Sequence, residues 1–115
     1  MKVAISASEP GMSASVDPRF GRAHCFVVID LESGALATSD NTISQSAAHG
    51  AGIQAAKTVV EAGARTVITG KVGPKALAAL QAAHVDVYQC SGGTVQQAVE
   101  RWWKGSLTKV TAATV

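Results

Sequence analysis

A chain of 115 residues is the size of one ordinary domain and too short for two with separate cores. Hydrophobic residues at 47% and charged residues at 16% exclude a disordered chain, and an aromatic share of 4% leaves Val, Ile, Leu and Ala to build the core, as in parallel sheets covered on both faces. A formal charge of +2, without a block of Lys and Arg or any alternation of basic and aromatic residues, excludes general nucleic-acid binding.

In chain order, Lys2 to Ser6 predicts a short strand around Val3-Ala4-Ile5. The apolar stretch is too short for a signal peptide and reaches Glu9 at once. No segment approaches transmembrane length, so a cytoplasmic protein without a membrane partner is expected. Ser8 to Arg22 holds two prolines, two glycines and four charged residues and reads as a long functional loop. His24 to Leu31 is the clearest strand, and Glu32-Ser33-Gly34 turns it back into an antiparallel strand over Ala35–Asp40. A second polar stretch, Asn41 to Gly50, leads into a helix from about Ala51 to Ala62, with Ile53, Ala56 and Val60 on one apolar face and Gly63 as its stop.

Arg65 to Thr69 predicts a buried strand, and Gly73-Pro74 opens a helix whose Leu77 and Leu80 face inward. Val85 to Tyr88 is a further strand. Thr94 begins the last helix, with Gln97 completing a capping box and Val95, Val99 and Trp102 as the apolar face. The expected architecture is a single α/β domain, 1–104, on a mixed five-stranded sheet of three parallel strands and an antiparallel hairpin, with helices on both faces. Residues 105–115 read as a flexible tail.

Ligands of open α/β sheets bind outside the carboxyl ends of the parallel strands. Three Gly- and Ser-rich segments fall there: the Ser6–Arg22 loop, Gly70-Lys71-Val72-Gly73, and Cys90-Ser91-Gly92-Gly93. Two open into helices, whose N-termini attract anions, and Arg19, Arg22, Lys71 and Lys75 add positive charge. The rim they predict would hold a polyanion. From spacing alone Gly70 and Gly73 read first as turn residues, and Cys90 is balanced between a structural and a site role. His24 and His84 read as local structural residues, and His49, just before the helix start at Gly50, as a binding residue. Cys25 and Cys90 are the only cysteines, lack metal-ligand spacing and read as free thiols, Cys25 as a small buried hydrophobe. No metal site by direct protein ligation is expected. No Ser/His/Asp order, paired acids or P-loop is present, which weighs against an enzyme.

Asp17-Pro18-Arg19-Phe20-Gly21-Arg22-Ala23-His24, His49-Gly50-Ala51-Gly52-Ile53-Gln54-Ala55-Ala56 and Gly70-Lys71-Val72-Gly73-Pro74-Lys75-Ala76 resemble the three recurrent segments of the dinitrogenase iron–molybdenum cofactor biosynthesis family. The resemblance runs from about Met1 to Trp103. It implies a ribonuclease H-like α/β/α fold without the nuclease acids, and carriers or chaperones of metal–sulphur clusters. It implies in particular a noncovalently held molybdenum–copper sulphide cluster at the Arg19–His24 segment, His49 and the Lys71–Lys75 segment. Such a cluster brings its own sulphides, whereas an iron–sulphur cluster wants several thiolates. The competing expectation is a regulatory interaction module whose partner is a nucleotide-binding protein.

Overall fold

In the computed structural model, which describes residues 1–42 and 50–114, the apolar runs form strands and the segments between glycines form helices. Strand β1 (Lys2–Ala7) pairs antiparallel with β2 (Cys25–Asp30), and β2 with β3 (Leu36–Asp40). Helix α1 (Ala51–Glu61) leads to β4 (Ala64–Thr69), α2 (Pro74–Ala82) to β5 (Asp86–Gln89), and α3 (Val95–Trp103) to the two-residue β6 (Thr108–Lys109). The sheet order is β3-β2-β1-β4-β5-β6, and β1, β4 and β5 run parallel.

β1 reads as an unbroken apolar run because both of its faces are covered. Ala4, with Phe26, Val28, Val67 and Val87 on neighbouring strands, packs under Ala55, Ala56 and Val59 of α1 and Leu77 and Leu80 of α2. Val3 and Ile5, with Val27 and Ile68, pack under Val95 and Ala98 of α3. The result is the three-layer α/β/α fold implied by the resemblance. The β2–β3 turn closes at Gly34, which adopts φ +75° and donates its N–H to the Asp30 carbonyl at 2.8 Å.

Two expectations are corrected. The sheet has six strands, not five, because Thr108 and Lys109, read from the sequence as tail, pair antiparallel with Gln89 and Tyr88. Two residues carry no periodicity, so no sequence pattern marks them. The inward face of α1 is Ala51, Ala55, Ala56 and Val59, while Ile53 and Val60 are exposed at 49% and 39%. Small side chains win that face because α1 lies close against α2. A methyl group built on Gly52 would sit 2.9 Å from the Ala76 Cβ. A larger inward residue there would prop the helices apart.

Candidate functional site

The loops that leave β1 and β4 are joined as a short parallel bridge between Arg19 and Lys71. The Lys71 N–H donates to the Pro18 carbonyl at 2.6 Å and the Phe20 N–H to the Lys71 carbonyl at 3.0 Å. Below this floor the buried Ser6 hydroxyl lies 2.8 Å from both the Asp17 carbonyl and the Thr69 hydroxyl. Gly70 is required at this crossing, since a Cβ would come within 2.7 Å of the Pro18 Cα. Phe20 anchors the loop by burying its ring 5.2 Å from that of Phe26. Gly21 in turn lies on the first turn of α1, where a Cβ would meet the Gly52 nitrogen at 2.9 Å.

The long loop and the first turns of α1 and α2 thus converge around a cleft of about 510 Å³. Arg19, Arg22, Lys71 and Lys75 line it, with Phe20, Ile53, Pro74 and Ala76 as apolar wall, and no lining residue among those described is acidic. The buried Asp17 carboxylate stands behind the rim: Oδ1 accepts the Arg19 N–H at 3.0 Å and lies 3.6 Å from Arg19 Nε. It orients an arginine whose side chain remains 56% exposed.

The helix ends differ in a way that matters for anions. α1 starts after Gly50 and α2 after Gly73, neither of which has a side chain to cap the helix, and neither first turn contains an acid. α3, by contrast, is closed by the Thr94–Gln97 capping box, and the N–H groups of Val95 and Gln96 donate to the carbonyls of Ala14 and Met12 at 2.9 Å each. The anion-attracting capacity of α3 is consumed by its own chain. That of α1 and α2 faces the cleft.

The structure therefore gathers two of the three strand ends read from the sequence. Arg19, Phe20, Gly21, Arg22, Lys71, Gly73 and Lys75 line one cleft, with Gly70 directly beneath. His24 is exposed and outside the lining, and its charge helps hold the Asp40 carboxyl below the ordinary range, after the larger effect of the Thr42 hydrogen bonds. His49 lies outside the described residues. Cys90 and Ser91 border a separate depression of about 420 Å³ beside Arg101 and Leu107. The Cys90 thiol donates to the carbonyl of Gly92 at 3.3 Å, and neither residue lines the main cleft. The helix that follows them has its N-terminus occupied by the Met12 and Ala14 carbonyls and does not line the main cleft. Cys25 belongs to the core on the α3 side, where burial, then Asp40, Asp17 and Glu9, push its thiol up. Among the described residues no three His, Cys, Asp or Glu side chains stand together as a metal-ligand group.

Sequence reading missed Gly52 and Ile53 as wall residues. The signal is available in Gly50-Ala51-Gly52, a helix start with no capping side chain, but periodicity groups Ile53 with Ala56 and Val60 on one apolar face.

The family model described as dinitrogenase iron-molybdenum cofactor matches residues 1–105. The apo form of the orange protein from Desulfovibrio gigas superposes with a TM-score of 0.95 at 45% identity, over 99% of this chain and 96% of that one. A NifB-like protein from Thermotoga follows at 38% identity and a TM-score of 0.87, over 99% and 97% of the two chains. An uncharacterised protein of Methanocaldococcus jannaschii is 24% identical over 111 residues, 95% of this chain and 91% of its own length.

Proposed function

Because the chain belongs to the dinitrogenase iron–molybdenum cofactor family, we propose that it binds, and carries or stores, an anionic metal–sulphide cluster in the cleft between loop 17–22, α1 and α2. The cargo is a molybdenum–copper sulphide cluster or a related heterometallic sulphide, held without a covalent bond to the protein. The observation that carries this reading is a cleft with four cations, no lining acid among the described residues and two helix N-termini left without a capping side chain. The 45% identity to the orange protein supports it.

The chemistry follows from the wall. A polyanion gains from the guanidinium and ammonium groups over a short range and from direct backbone N–H donation at the two helix ends. Sulphide faces are weakly hydrated compared with oxide, so the exposed Ile53 and Pro74 can replace water against them. A cleft of about 510 Å³ is of ordinary size for enclosing a small ligand. The protein's own role is binding and water exclusion rather than a covalent step, and we place it in the cytoplasm.

Adding tetrathiomolybdate and a copper salt to the metal-free protein, desalting, and analysing molybdenum and copper tests the reading. The expected result is a coloured complex that retains both metals through the column. Metals that elute entirely with the small molecules at every ratio would overturn it and leave the regulatory interaction module as the better account.

A further inference from the structure

Residues 106–114 run past the family's matched region, and Thr114 reaches the loop beside the cleft. Beyond β6, the Val110 N–H donates to the Val87 carbonyl at 2.8 Å and its side chain joins the core under α1 and α2, in the same cluster as Val72. At Thr114 the chain reaches the loop between β4 and α2. Thr114 Oγ1 accepts the Val72 N–H at 2.9 Å, and the Thr114 N–H donates to the Val72 carbonyl at 3.0 Å. Both backbone groups of a fully buried residue are thus joined to one threonine.

Val72 sits between Lys71 and Gly73, both of which line the cleft. The preceding residue is held from the other side, since the Lys71 N–H and carbonyl bond to Pro18 and Phe20. We infer that Thr114 is a positioning residue for the cleft: the C-terminal segment acts as a strap that fixes loop 70–73, and with it the Lys71 charge and the start of α2. It touches no cargo itself. The inference rests on the reading of the cleft as an anion site, and adds that the affinity of that site depends on a segment outside it.

Thr114→Val keeps the shape and loses the acceptor, while Thr114→Ser keeps the hydroxyl. Two readouts are compared: amide exchange of Val72 in the metal-free protein, and the release rate of a reconstituted molybdenum–copper sulphide cluster followed by its visible absorption. Thr114→Val is expected to exchange Val72 faster and release the cluster about tenfold faster, the worth of one hydrogen bond. Thr114→Ser is expected to restore both, while Thr114→Val melts a few degrees below wild type, as the loss of one hydrogen bond implies. Unchanged Val72 exchange in Thr114→Val would overturn the strap. Faster exchange with wild-type cluster release would overturn its bearing on the cleft. A wild-type protein that takes up no cluster would instead overturn the reading of the cleft itself, and with it this consequence for affinity, whatever the exchange shows.

Discussion

Gly70 shows how a single missing methyl group holds the site together. Two backbone segments cross at that point, and the nearest neighbour of an added Cβ is the main chain of Pro18 rather than a flexible side chain. Gly70→Ala must therefore push the β1 and β4 loops apart, and is expected to cost about 1–3 kcal/mol of stability together with most of the cluster binding. Gly11→Ala is the control: φ is +106° but nothing lies within 4 Å, so only backbone strain of about 1 kcal/mol is expected, with binding intact. Urea unfolding of the two variants separates the cases.

The cysteines make the second residue-scale test. Cys25 is buried and its pKa is raised by burial and by nearby carboxylates, so the folded state favours the neutral thiol. A thiol raised above its unfolded value leaves stability intact below that value and loses it as the pH rises past 9.0 toward the folded value. Wild-type stability is expected to fall across that alkaline window more steeply than that of Cys25→Ser. Both Cys25→Ser and Cys90→Ser are expected to retain the cluster, since neither thiol lines the cleft. Loss of all molybdenum from folded Cys90→Ser, measured by metal analysis, would show a thiolate ligand.

Among elements, the N-termini of α1 and α2 and the two loops act as one charged frame. Removing one exposed charge should cost little, because water and salt screen it, typically by less than about 1 kcal/mol. Arg22→Ala/Lys71→Ala removes charge from both the long loop and the β4–α2 loop. Its cluster retention is expected to fall clearly below that of either single variant at low salt, and wild-type retention to weaken in the same direction as salt is raised. A folded double variant that retains the cluster like wild type at both salt levels would leave shape and apolar contact as the basis of binding.

At the scale of the molecule, one sheet separates two cores, and every strand of the parallel centre contributes to both. Neither layer can lose its packing without exposing the sheet to the other, so unfolding should be a single cooperative event. Trp102, on α3 and packed against that layer's core, reports the layer by fluorescence, most cleanly in Trp103→Phe, while far-ultraviolet circular dichroism reports the whole. Coincident midpoints are expected, and separate ones would show that the α3 layer opens alone. Cluster at about a hundredfold excess over its Kd should raise stability by about 2.7 kcal/mol.

The sequence by itself determined the layers. Unbroken apolar runs at Val3–Ile5 and Val67–Ile68 require strands covered on both faces, Gly63 and Gly73-Pro74 bound the helices, and Thr94 with Gln97 marks the start of α3. These are local signals, carried by residue type at short spacing. It also placed Arg19, Arg22, Lys71 and Lys75 near strand ends, because strand direction follows from connectivity. Only the tertiary structure decided which strand ends share a cleft. Whether residues 12–16 cross over α3 or stand clear of it depends on hydrogen bonds between segments some eighty residues apart, which no local pattern encodes. The same holds for Ile53, whose exposure follows from how closely α1 approaches α2, and for Thr114, which reaches Val72 only after the chain has crossed the edge of the sheet.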